Sequence, residues 1–225
     1  MLKKFFSLML VVSFLLVSKV SAAESPQWVK NLPAAQNATQ LFVVAQLGEK
    51  TTAWISMHEK IDGVWQQIMS TPGFIGKEGL GKTREGDNKT PVGTFHFTKA
   101  FGIAYNPGCM LPYIQVDENF YWSGDSNYKY NEMVNIKDFP ALNKAAGEHI
   151  IDYNPQYMYC LNISYNENGT PGKGSAIFLH CFGDKKPWTG GCVAIPEEKM
   201  LFVIQNVQEN CVVVIDSLEN FGGEI

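Results

Sequence analysis

A histidine and a cysteine stand out for the chemistry they could do together. His180 ends the apolar run "SAIFLH" (175–180), and Cys192 follows a short polar loop in "FLHCFGDKKPWTGGCVAIP" (178–196). Three readings fit Cys192: half of a disulfide, a buried apolar filler, or a nucleophile served by His180. Nucleophilic cysteine needs a base to take its proton, donors for the oxyanion formed on attack, and backbone open to a substrate. A strand-end histidine projects from a sheet edge. Gly190 and Gly191 leave the chain before Cys192 without side chains, so the amides of Gly191 and Cys192 are candidate oxyanion donors. Thr189 is placed to fix this turn through its hydroxyl.

The elements that must position these residues read mostly as strands. "LFVVAQL" (41–47), "TTAWISM" (51–57), "VWQQIMS" (64–70), "GTFHFTKAF" (93–101), "QYMYCLNISYN" (156–166), "SAIFLH" (175–180) and "CVVVID" (211–216) are short, β-branched or aromatic, and bounded by turn residues. Asp62-Gly63 predicts a hairpin turn. "PEEKMLFVIQNV" (196–207) predicts a helix, with Pro196 at its first position and two glutamates where the helix dipole favours negative charge. "KDFPALNKAAGEH" (137–149) is a candidate short helix. Residues 71–93 and 104–136 read as loops. The expected fold is mainly β: one β-rich domain over 41–216, a mixed sandwich or partly open barrel with one or two peripheral helices, preceded by a polar lead-in at 23–40 and followed by a tail at 217–225.

The first residues predict a secretory signal peptide, 1–22. Lys3 and Lys4 precede an apolar stretch, Phe5–Val17, and small residues follow. That stretch is shorter than the roughly 20 residues a membrane-spanning helix needs, and no later one is long and apolar enough. Removing 1–22, with three lysines and no acid, takes the formal charge from −4 to −7. Arg84 is the sole arginine, so nucleic acid is not an expected partner. The expected location is the periplasm or cell envelope. Residues 76–83, GKEGLGKT, match the P-loop pattern, but that motif needs a following helix; "REGDNKTPVG" forbids one, so no nucleotide is expected. Four histidines and five dispersed cysteines support no metal site. The odd cysteine count leaves at least one thiol free or paired between chains, and the pairing among Cys109, Cys160, Cys181 and Cys211 stays open.

"HCFGDKKPWTGGCVAIP" resembles the signature of the L,D-transpeptidase catalytic-domain (YkuD-like) family: a histidine, a loop, then [S/T]-x-G-C. "GDNKTPVGTFHF" (86–97) is similar to that family's upstream K-T-P-x-G-x-F segment. The resemblance covers roughly residues 41–216. It implies a YkuD-like β-rich domain in which Cys192 is the nucleophile and His180 the base. Thr189 takes the Ser/Thr position and Gly191 precedes the nucleophile. It further implies peptidoglycan stem peptides as substrate, a thioester intermediate, a backbone carbonyl near residue 181 orienting the imidazole, and no cofactor. The chain departs from the pattern at Cys181 (usually glycine), in a shorter His-to-Cys loop, at Gly190 (often histidine) and at Ala194 (often arginine). Arg84, Lys82 or Lys89 are candidates for the missing positive charge. In the aromatic segment "FYWSGDSNYKYN" (120–131), Tyr130 and Asn131 are candidate substrate contacts, with Gly190 and Thr189 beside the cysteine. Water in place of an amine acceptor gives an L,D-carboxypeptidase with the same residues, and a non-catalytic envelope-binding module is the alternative of another class. A regulatory Cys181–Cys192 disulfide is a further expectation.

Overall fold

The computed structural model describes residues 23–48, 50–183 and 186–224; the expected signal peptide, 1–22, lies outside the described residues. In chain order the elements are β1 (Ala23–Glu24), α1 (Gln27–Lys30), β2 (Gln40–Gln46), β3 (Thr52–Ile61), β4 (Val64–Phe74), β5 (Gly93–Gly102), β6 (Tyr113–Gln115), β7 (Phe120–Trp122), β8 (Met133–Asn135), β9 (Glu148–His149), β10 (Cys160–Ile163), β11 (Phe178–Cys181), β12 (Val193–Ile195), α2 (Glu197–Asn206) and β13 (Val212–Ser217). The main sheet runs β1-β4-β12-β11-β10-β5-β13-β2-β3, and β3 pairs back onto β4, closing a barrel. Closure removes the exposed edges that an open sheet would leave. The fold is mainly β, as expected, and the barrel is closed rather than partly open, with a separate small sheet of order β8-β7-β9.

The β3–β4 hairpin turns at Asp62 and Gly63, both at positive φ (50° and 81°), as a two-residue primed turn requires. Helix α2 begins at Glu197, with Pro196 as its N-cap and Glu197 and Glu198 in the first turn; it buries Met200, Val203 and Ile204. The expected helix over 137–149 does not form. That segment holds a 3-10 turn at Lys144–Ala146 and then β9, which pairs with β7. Pro140 and Gly147 interrupt any longer helical ladder. The 104–136 loop contributes three short strands, β6 to β8. The 23–40 lead-in folds too: Trp28 and Val29 of α1 pack with Leu41, Val43 and Ala45 on the outer face of β2.

Side-chain alternation separates two cores at β11 and β12. Leu179, Cys181, Val193 and Ile195 face the barrel interior with Phe42, Ile55 and the buried side of α2. Phe178 and Cys192 face the other way, into a cluster with Phe101, Trp122, Ile150 and Tyr157. Since strand side chains alternate with a period of two, His180 joins Phe178 on this second face.

Candidate active site

Strands β11 and β12 run parallel, with Leu179 opposite Val193 and His180 opposite Ala194. Cys192 precedes Ala194 by two residues and therefore shares the face of His180. Both residues line one cleft of about 540 Å3, together with Lys82, Glu148, Tyr157 and Trp188.

Local geometry around the sulfur is set by backbone. Phe178 N–H donates to Cys192 Sγ at 3.3 Å, and the thiol donates to Ala176 C=O at 3.1 Å. His180 Nδ1 donates to Cys181 C=O at 2.7 Å. A carbonyl only accepts, so Nδ1 carries the proton and Nε2 is left with its lone pair. The Tyr157 ring stands edge-on to the imidazole, centroids 5.4 Å apart.

Burial sets the resting charge. It pushes the Cys192 thiol up to about 12; the Glu148 charge adds to this, while Phe178 N–H and Lys82 oppose it. It also holds His180 down to about 4, against the opposing bond to the Cys181 carbonyl. Thiol and imidazole are therefore both neutral at pH 7, and the free cleft does not hold the near-neutral thiolate that a typical activated cysteine has.

The turn before Cys192 is fastened from two sides. Thr189 Oγ1 donates to Cys192 C=O at 2.6 Å and accepts Gly191 N–H at 3.1 Å. Thr90 Oγ1 donates to Gly191 C=O at 2.8 Å. Gly191 sits at φ +142°, and a Cβ there would lie 2.8 Å from Lys89 C=O, so only glycine fits. A Cβ at Gly190 would meet nothing within 4 Å. Because Gly191 N–H is committed to Thr189, it is not a free oxyanion donor. Among the described residues the Cys192 and Gly190 amides have no hydrogen-bond partner.

Of the other sequence candidates, Thr189 and Gly190 line the cleft, whereas Arg84, Tyr130 and Asn131 do not. Arg84 is exposed. Tyr130 is buried; its hydroxyl donates to the Glu85 carboxylate and accepts Gly174 N–H. Asn131 spends its whole amide on structure. Its Oδ1 accepts from Trp122 Nε1 and Ala176 N–H, and its Nδ2 donates to Tyr165 and Asn166 carbonyls. Both residues bond the 174–176 segment, whose Ala176 carbonyl accepts from Cys192.

Two further cleft residues differ in how far the sequence pointed to them. Lys82 had a signal only as one of three cations that might replace a missing charge. Glu148 had none: burial pushes it up to about 7, against donation from Tyr157 Oη at 2.8 Å and with the Glu85 charge adding. The P-loop-like segment, 76–83, leads on to β5.

All five cysteines are free thiols. Cys181 points into the barrel and Cys192 into the opposite core, so the expected Cys181–Cys192 disulfide is excluded by strand alternation.

The L,D-transpeptidase catalytic domain profile matches residues 42–215. The chain belongs to this family. Solved structures to which the chain is similar include the helical cell shape determining protein Pgp2 from Campylobacter jejuni, at 15% identity over 79% of this chain and 48% of that one, TM-score 0.41. Another is an L,D-transpeptidase from Stackebrandtia nassauensis, at 13% identity over 85% of this chain and 63% of that one, TM-score 0.36. This chain spans about half the length of the first of these. No curated protein matches it. Among the described residues no helix is long and apolar enough to cross a membrane.

Proposed function

We propose that this family member is a cysteine L,D-transpeptidase of the cell envelope, acting on peptidoglycan stem peptides. The observation that carries the reading is the shared cleft of Cys192 and His180, with Nε2 of the imidazole left as a base by the Cys181 carbonyl. Cys192 Sγ attacks the amide carbonyl after an L-centre as its proton passes to His180 Nε2. The carbonyl oxygen becomes an oxyanion facing the Cys192 N–H; one such donor is typically worth about 10²–10³ in rate. The C–N bond breaks, D-alanine leaves with the proton from His180, and a thioester remains on Cys192. The amine of a second stem attacks the thioester to form a cross-link, returning a proton to the thiol. Water as acceptor shortens the stem instead. Starting from a neutral pair avoids holding a charged thiolate in the buried cleft, and charge develops only as the S–C bond forms.

Export by the 1–22 segment would bring the domain to this substrate. Mass spectrometry of muropeptides incubated with the protein tests the reading. Cross-linked dimers identify the transpeptidase, shortened monomers the carboxypeptidase, and both vanish in Cys192→Ala. Unchanged muropeptides with the wild-type chain would overturn it.

A further inference from the structure

Lys82 is a buried cation beside the nucleophile turn. Its side chain is 2% exposed. Burying an ammonium is costly unless it is compensated. Lys82 Nζ donates to Asp87 Oδ1 at 3.0 Å and to Arg84 C=O at 3.2 Å, two of its three hydrogens. Asp87 is held independently by the backbone amides of Thr83, Arg84 and Lys89. That carboxylate is therefore shared among four donors.

The space around Lys82 is made by two glycines. A Cβ at Gly174 would lie 2.4 Å from Lys82 Cε and 3.3 Å from Nζ; a Cβ at Gly191 would lie 3.6 Å from Nζ. The lysine thus reaches across to the residue preceding Cys192 and lines the same cleft. The titratable groups around Cys192 are His180 on β11, Glu148 on β9, Cys160 on β10, Tyr153 and Tyr157 between β9 and β10, and Lys82. Glu85 and Lys186 also line the cleft, but Lys186 is exposed. The position after Val193 is the uncharged Ala194.

We propose that Lys82, cradled by Gly174 and Gly191, is the positioning residue whose charge stabilises the negative charge developing at Cys192. The inference rests on Cys192 as nucleophile, and its test needs no peptidoglycan. Alkylation of the full chain by iodoacetamide, followed at the Cys192 peptide across pH 6–10, reads thiolate formation directly. The Lys82 charge opposes the effect of burial on the Cys192 thiol, and a nearby opposite charge typically lowers a pKa by about 1 unit or more, so Lys82→Met should slow Cys192 alkylation by up to about tenfold at pH 7.5 and move its profile to higher pH. Lys82→Arg should restore most of the rate. The Lys82→Met/Asp87→Asn pair leaves no buried unpaired carboxylate and should react as slowly as the single variant. A wild-type rate and profile in either Met variant, with an unchanged melting curve, overturns the role of Lys82. A wild-type Cys192 that is indifferent to His180→Ala overturns the nucleophile reading itself.

Discussion

Thr189 bonds both sides of the turn it opens: its hydroxyl donates to the Cys192 carbonyl at 2.6 Å and accepts the Gly191 amide at 3.1 Å. Thr189→Val removes both bonds while keeping the shape. Leaving the buried Gly191 N–H unpaired should cost about 1–3 kcal/mol, and Thr189→Ser should recover it. Urea unfolding of the three proteins checks this, and equal midpoints for the Val and wild-type chains would contradict it.

Neighbouring glycines should respond differently. Gly191→Ala forces a side chain into positive φ and against the Lys89 carbonyl, a strain of about 1–3 kcal/mol. Gly190→Ala meets open space and should melt within a degree or two of wild type. Paired thermal melts decide the matter.

Asn131 links Trp122, Tyr165, Asn166 and Ala176 through one amide. Asn131→Ala leaves four part-buried groups without their partner at once; a fully buried unsatisfied group typically costs about 1–3 kcal/mol, and these partly exposed ones less each. Since Ala176 C=O accepts the hydrogen bond of the Cys192 thiol, the loss should reach the cleft as well. Hydrogen exchange should show residues 174–178 opening in this variant, with α2 still protected.

Stability should peak near neutral pH. Burial holds His58 and His180 down to about 4 from 6.5. Their contribution is full above 6.5 and is lost as pH falls toward 4, by up to about 1.4 kcal/mol per unit for each imidazole. Glu148 runs oppositely. Raised by burial from 4.5 to about 7, it contributes fully below 4.5 and loses that as pH rises through 7. Two imidazoles outweigh one carboxyl, so net stability should climb between pH 4.5 and 6.5. Above pH 9 it should fall, because burial raises Cys181, Cys192 and Cys211 from 9.0 to about 12. Denaturant midpoints measured from pH 4 to 10 test the signs; a flat acid limb would refute the imidazole assignment.

Cys181→Ala should leave the response to reductant unchanged. The two thiols of the 181–192 segment lie on opposite faces of the sheet, so oxidant cannot join them without unfolding. Thiol-probe labelling of Cys192 before and after mild oxidation, in wild type and variant, checks this. A mass loss of two hydrogens linking the two peptides would count against it.

The residues in the sequence carried their own chemistry and local geometry. Short β-branched and aromatic runs bounded by turn residues predicted most long strands, Asp62-Gly63 its hairpin, and the proline and glutamates at 196–198 a helix start. The T-G-G-C spacing singled out the turn that Thr189 fastens, because those are interactions among neighbours. What tertiary structure alone decided is everything that depends on pairing across distance. Pairing of β12 with β4, and of β13 with β2 and β5, turned the predicted hairpins into a closed barrel. The parity of β11 put His180 with Cys192 and turned Cys181 away. Short strands such as β9 and β12 carry too little local pattern to be seen, yet their pairing sets Glu148 and Val193 in place. Burial, a property of the whole chain, left thiol and imidazole neutral. Lys82, bonded locally to Arg84 and Asp87, sits in the cleft because distant Gly174 and Gly191 leave it room, and Asn131 is held by the distant Tyr165, Asn166 and Ala176, which no local spacing encodes.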